Sequence, residues 1–193
     1  RRSDCHFSIH RGGDMTNNTR RGGGYNDMMR ELINGEGGKV YLDTQCPRVC
    51  IRGPEPSTAD GTGYDSLPKE DIFMFFELRA AAIDLRKGTE NHDVQLRTRK
   101  RIRAQINTLV ERGVRHVILS AFGCGAFKNN PILVAKIYVE ELEKNIKDFD
   151  VVVFAIYNAG YGPDDNFTPF VHAFQSSATL KDSVVSTVAG GGG

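Results

Sequence analysis

Two short stretches of this chain join glycines to the start of a helix, and both could hold an anion. The first is Gly22-Gly23-Gly24, which precedes the helical pattern of residues 25–33. The second is Phe122-Gly123-Cys124-Gly125-Ala126-Phe127, which follows an apolar run and precedes Asn130-Pro131. A strand that ends in glycines and turns into a helix aims backbone N–H groups and the positive end of the helix dipole at one point. Glycine lets a phosphate touch the main chain there. Neither stretch is a standard nucleotide loop. The second lacks the third glycine of G-x-G-x-x-G, and no Gly-Lys-Ser/Thr follows it. Alone, it fits a tight strand–helix turn equally well. Two such loops on one sheet edge could grip the two phosphates of one diphosphate. Replacing Gly123 or Gly125 by Val should then block binding and leave the fold intact.

The surrounding pattern supplies the elements that would position these loops. Residues 115–122 and 150–157 are apolar enough for buried strands, as are residues 71–78. Residues 39–42 form a further short strand candidate. Residues 93–112 predict a helix with Leu96, Ile102, Ile106, Leu109 and Val110 as its apolar stripe and Gly113 as its stop. Pro131 opens another helix, with Asn130 as its cap and Val134, Tyr138, Leu142 and Ile146 recurring every four residues. Residues 166–174 open a last one. Met28, Met29, Leu32 and Ile33 share one face of residues 25–33, and Gly35 can close that helix in a left-handed conformation. Residues 5–9 alternate weakly as a strand, and residues 11–24 are loop. Residues 50–70, rich in Pro, Gly, Ser and Asp, form a long surface excursion, and residues 189–193 a flexible tail. Apolar strands separated by amphipathic helices imply an α/β fold whose largely parallel sheet is covered on both faces. Ligands bind outside the carboxyl ends of such strands.

Composition narrows the function classes. The 193 residues, 39% hydrophobic and 25% charged, suit a single soluble domain spanning residues 1–193. No apolar run is long enough to span a membrane. Arg1 stands where a Met would, and residues 1–6 resemble no signal peptide. A net charge of +1 argues against general nucleic-acid binding. Arg20-Arg21 form one basic cluster. The other, residues 97–103, reads as the wet face of a helix. Cys46 and Cys50 are spaced C-x3-C with no second pair, so a structural zinc shared with His6 and His10 is disfavoured. Reduced thiols in an intracellular protein are the better reading of Cys5, Cys46, Cys50 and Cys124.

Residues 117–135, followed by 149–158 and Asn166-Phe167-Thr168-Pro169-Phe170, resemble the C-terminal half of the microbial-type poly(ADP-ribose) glycohydrolases, which are macrodomain-related. The resemblance covers about residues 71–174, is looser over 22–33, and does not extend to 1–18 or 50–70. It implies a macrodomain-like three-layer α/β/α fold with a mostly parallel mixed sheet. It also implies hydrolysis at the anomeric carbon of ADP-ribose on modified protein, with no metal or cofactor. On the family's motifs Gly22, Gly23, Gly24, Gly123, Gly125 and Phe127 carry over as diphosphate-binding, with Cys124 and Ala126 completing the loop. Cys124 lies between the glycines with no assigned base, so it reads as a small loop residue rather than a nucleophile.

The family follows its glycine triplet with Gln-Glu-Glu, whereas this chain reads Arg30-Glu31-Leu32. Glu31, with Asp27 one helical turn earlier on the same face, are the candidates for the acid. Without the resemblance, each reads better as a solvated helix carboxylate, and Asp27 as a favourable charge in the first turn. Asp14 is a fallback. Phe167 is the candidate adenine contact, with Phe170 beside it, and Asn158 ends the last strand within reach of a ligand. Two rivals remain open. One is a module that binds ADP-ribose without cleaving it. The other is an interaction or nucleic-acid-binding domain using residues 97–103 and 50–70.

Overall fold

The computed structural model describes residues 33–35, 37–42, 44, 47–51, 66–86, 88, 93–156 and 165–183. Helix α1, Val94–Glu111, contains no Gly or Pro. It stops where the sequence says it should. Gly113 takes φ +66°, its N–H donates to the Val110 carbonyl, and Val114 N–H donates to the Leu109 carbonyl. That pair of bonds satisfies carbonyls the helix end would otherwise orphan. Gly35, with φ +72°, also takes the expected left-handed conformation.

The buried face of α1 differs from the predicted stripe. Leu96 is 51% exposed, while Thr98, Gln105 and Thr108 join Ile102, Ile106 and Leu109 inside. Polar groups are tolerated there when they find partners. Thr108 Oγ1 donates to the Ala104 carbonyl at 2.8 Å and accepts the Val40 N–H at 2.9 Å. Gln105 Oε1 accepts the Tyr138 hydroxyl at 2.9 Å.

Helix α2, Pro131–Glu143, begins as predicted. The Asn130 side chain accepts the Ile132 N–H at 2.9 Å. Val134, Tyr138 and Leu142 are buried as expected, whereas Ile146 falls in the 3-10 turn Ile146–Asp148 and lies at the surface. In helix α3, Phe167–Gln175, the cap is Asp165, whose carboxylate accepts the Phe167 and Thr168 N–H groups at 3.0 and 2.9 Å.

Six short strands are described. In chain order they are β1 (Tyr41–Leu42), β2 (Arg48–Cys50), β3 (Phe73–Phe75), β4 (Leu78–Arg79), β5 (His116–Leu119) and β6 (Val151–Phe154). β5 and β6 pair in parallel, with His116 opposite Val151 and Leu119 opposite Phe154. β1–β4 and β2–β3 pair antiparallel. The fold is therefore mixed α/β, with parallel pairing where the two apolar strands meet.

One face of the β5–β6 pair packs on the helices. Leu119, Val117, Val152 and Phe154 join Ile102 of α1, Tyr138 of α2 and Phe170 of α3 in the core. Phe154 meets Tyr138 edge-on at 5.0 Å and Phe170 at 5.2 Å between ring centroids. The opposite face is not buried as expected. Ile118, Val151 and Val153 lie exposed there. A parallel strand reads as apolar on both faces whichever neighbours the fold provides.

Residues 71–78 bring another correction. They were expected to form a buried strand, yet Phe73 and Met74 are 56% and 71% exposed. Among the described residues β3 pairs only with β2, and its three residues are all exposed. Its root is anchored by Glu77, a buried carboxylate that accepts from Arg48 at 3.0 Å and Arg79 at 2.8 Å. Burial opposes the Glu77 charge, but these two guanidinium groups outweigh it and lower its pKa.

The basic run 97–103 is not simply a wet face either. Arg99 and Arg103 reach across to Glu141 of α2, and Arg101 donates to the Ala81 carbonyl at 2.7 Å. Among the described residues, no helix is long and apolar enough to cross a membrane.

Candidate functional site

The chain leaves β5 at Leu119 and re-enters regular structure at Pro131, so residues 120–130 lie at the carboxyl end of the parallel pair. The loop is folded on itself. Cys124 N–H donates to the Ala121 carbonyl, Lys128 N–H to Gly125, and Asn129 N–H to Gly123, each at 3.0 Å. Its base is tied to the segment before α1. The buried Asn129 amide donates to the Ile83 carbonyl at 2.8 Å and to Gly123 at 3.1 Å, and Leu85 N–H donates to the Phe127 carbonyl at 3.0 Å. Lys128 takes φ 59°, a left-handed conformation that costs a non-glycine residue about 1–2 kcal/mol. Such strain persists only where surrounding structure holds it, often at binding loops.

The two glycines of the loop do different jobs. Gly123 has φ +74°, and a Cβ there would meet Ala82 Cβ at 2.5 Å and Asn129 Nδ2 at 2.6 Å. What excludes a side chain at position 123 is the protein itself. The expectation that Gly123→Val leaves the fold intact is therefore corrected. At Gly125 a Cβ would meet nothing within 4 Å. The N–H groups of Gly125, Ala126 and Phe127 donate to no other described residue. Three successive unspent donors, with open space at the Gly125 Cβ position, are main-chain groups that an anion could accept from. The following helix contributes less than expected, because Asn130 already caps its first amides.

Cys124 points the other way. Its thiol sits in the core with Ile102, Leu119, Val134 and Tyr138, and burial pushes its pKa up to about 12. A thiol so protonated is no nucleophile at neutral pH. Only its main chain could face a ligand. Phe167 stands half-buried at the first position of α3, while Phe170 is buried in the core. Gly22, Gly23, Gly24, Asp27, Glu31 and Asn158 lie outside the described residues, as does Asp14. The structure thus brings the residues from Gly123 to Phe127 together on one loop. It adds residues that the sequence reading did not assign: Ala82 and Asn129 beneath the loop, and Asp84 and Arg86 at its edge. The signal for the last two was present as a charged pair two residues apart in a stretch with no apolar period.

A separate groove of about 550 Å³ runs between α2 and α3, lined by Lys136, Glu140, Thr168 and His172 among others. It includes none of the glycine-loop residues.

No protein-family model and no curated protein sequence matches the chain. Solved structures do. Poly(ADP-ribose) glycohydrolase from Deinococcus radiodurans in complex with ADP-ribose superposes with a TM-score of 0.53 at 22% identity, over 70% of this chain and 52% of that one. The apo form of the same enzyme gives 0.53 at 21% identity, with the same coverage. The chain shares its fold with poly(ADP-ribose) glycohydrolase. It spans about half the length of these glycohydrolase structures, at 52%. The expected α/β class is thus found in the structure, with one of the three described strand pairs parallel, and the glycine loop follows β5 within this fold.

Proposed function

We propose that this chain is an ADP-ribosyl hydrolase of one domain, acting on ADP-ribosylated protein. The observation that carries the reading is the Gly125-Ala126-Phe127 loop. It offers three unspent amides, with no atom within 4 Å of a Cβ placed on Gly125, at the carboxyl end of a parallel strand pair. The glycohydrolase from Deinococcus radiodurans with this fold binds ADP-ribose. Gly22, Gly23 and Gly24 would hold the second phosphate.

Cleavage of the bond at the anomeric carbon passes through an oxocarbenium-like state. A carboxylic acid donates its proton to the leaving oxygen while a water adds to the anomeric carbon. The bound diphosphate fixes the ribose for that attack. Glu31 and Asp27 are the proposed source of the proton. Asp27→Asn and Glu31→Gln are each to be assayed for ADP-ribose release from mono- and poly(ADP-ribosyl)ated protein. The variant that removes the acid should lose about 10²–10⁴-fold in rate. Full rate in both places the acid elsewhere.

Phe167 is the proposed adenine platform. Stacking on an aromatic ring contributes about 1–3 kcal/mol. Phe167→Ala should therefore weaken ADP-ribose binding much more than ribose-5-phosphate binding. Equal losses would mean that Phe167 shapes the pocket instead.

A second reading, a module that binds ADP-ribose without cleaving it, is favoured by Arg30-Glu31-Leu32 standing where the family has Gln-Glu-Glu. Binding without product release would select it. Nucleic-acid binding through residues 97–103 is disfavoured, because Arg99, Arg101 and Arg103 are engaged within the fold.

A further inference from the structure

The segment before α1 sets a cation at the edge of the glycine loop. Arg86 lies over the face of Phe127, with its guanidinium carbon 5.3 Å from the ring centroid. Asp84 holds the guanidinium in a fork: Nε donates to Oδ1 at 2.9 Å and Nη2 to Oδ2 at 2.6 Å. The Arg86 main-chain N–H also donates to Asp84 Oδ1, at 3.1 Å. Between the two residues, Leu85 N–H binds the Phe127 carbonyl. The side chain is thus placed by the same loop whose amides are unspent.

An arginine carries five N–H donors. The fork occupies those on Nε and one on Nη2. The donors on Nη1 reach no other described residue. An aromatic ring under the guanidinium supports its face and leaves its edge for hydrogen bonding. A planar edge with unspent donors is suited to phosphate oxygens, which it binds with charge-assisted bonds. Asp84 and Arg86 together carry no net charge, so any attraction comes from directed N–H groups rather than from a general field. The surface exposure of both residues rules out a role in the core: their side chains are 39% and 55% exposed.

The geometry points to Arg86 as a diphosphate-recognising residue, donating to an oxygen of the nucleotide diphosphate that the Gly125, Ala126 and Phe127 amides hold. This rests on the ADP-ribose reading above. Asp84 is then a positioning residue: it orients the guanidinium, and its own charge opposes the ligand's.

The test is calorimetry of the full chain with ADP-ribose and ADP, and ligand-observed NMR with adenosine, for wild type, Arg86→Gln, Arg86→Lys and Asp84→Asn. Arg86→Gln should weaken ADP-ribose and ADP by about tenfold or more, the scale of a lost charge-assisted bond, and leave adenosine within about twofold. Arg86→Lys should restore only part, because an ammonium has no fork. Asp84→Asn should weaken the diphosphates by less than Arg86→Gln does, because the amide oxygen still accepts one guanidinium bond while the charge that opposes the ligand is gone. If the fork were merely structural, Asp84→Asn and Arg86→Gln would lose equally and adenosine would fall in step, which overturns the proposal. Wild-type binding of ADP-ribose that Arg86→Gln leaves unchanged overturns the role of Arg86 alone. A wild-type chain that binds none of the three ligands overturns the ADP-ribose reading, and this one with it.

Discussion

Gly125→Val is expected to abolish ADP-ribose binding at unchanged stability, and Gly123→Val to destabilise the protein. The two positions differ in what surrounds them. At 125 the backbone φ is not left-handed, and a Cβ meets nothing within 4 Å. Valine there costs the fold little, but its methyl groups would stand where a phosphate must touch the main chain. At 123 the opposite holds. A left-handed φ costs an L-residue about 1–2 kcal/mol. Overpacking against Ala82 and Asn129 adds about 1–3 kcal/mol, and displacing Asn129 breaks the bonds that tie the loop to Ile83. A loss of about 3 kcal/mol lowers the melting temperature of a domain this size by roughly 6–12 °C. Thermal unfolding and calorimetry on both variants separate the effects. Gly125→Val binding ADP-ribose with wild-type affinity would remove this loop from the site. Gly123→Val melting like wild type would mean the loop repacks freely, against the contacts seen.

These two glycines also show what the sequence could and could not reveal. Their need for absent side chains was legible, because two glycines after an apolar run are a local signal. The cause was not, since Ala82 lies far upstream in the chain. Helix ends were legible for the same reason. Gly113, Pro131 and Asn130 act on their immediate neighbours, and each does what its type predicts. Burial was less legible because it depends on distant partners. Phe73, Met74 and Phe75 are as apolar as any core strand, yet among the described residues their only strand partner is β2. The run at 97–103 looked like a solvated face because its acceptors, Glu141 and the Ala81 carbonyl, lie on other elements. Asp84 and Arg86 were missed likewise, since nothing local marks Phe127 as the ring beneath them. The carboxylates Asp27 and Glu31 still rest on position and resemblance, and the rate assays above decide them.

Removing the charge of Glu141 should give the largest stability loss outside the loop, and that loss should shrink in acid. The carboxylate is almost fully buried on α2, yet Arg103 donates to it through Nε at 3.0 Å and Nη2 at 2.9 Å. Lys144 donates at 2.8 Å, and Arg99 from α1 makes the longest contact at 3.3 Å. Burial alone would raise the Glu141 pKa. The hydrogen bonds from Arg103 and Lys144 outweigh it and hold the group at about 2, below the ordinary 4.5. A carboxyl whose folded pKa is lowered contributes stability that is present above its unfolded pKa and lost as pH falls through the folded one. The window here runs from about 4.5 down to about 2. Glu141→Gln keeps the size and removes the charge. Breaking a fully buried pair costs about 3–5 kcal/mol, but Arg103 and Lys144 are half exposed, so a loss of about 2–3 kcal/mol is expected at pH 7. Denaturant unfolding of both proteins at pH 7 and again near pH 2 measures it. The gap should shrink steadily with acid, because near pH 2 about half of the wild-type carboxyl is protonated and most of the contribution from its lowered pKa is lost. A gap of equal size at both pH values would mean that shape, not charge, holds α1 to α2 here. The clamp also bears on the site. α2 begins where the glycine loop ends, so a helix loosened from α1 loses part of what fixes Asn130 and the amides before it.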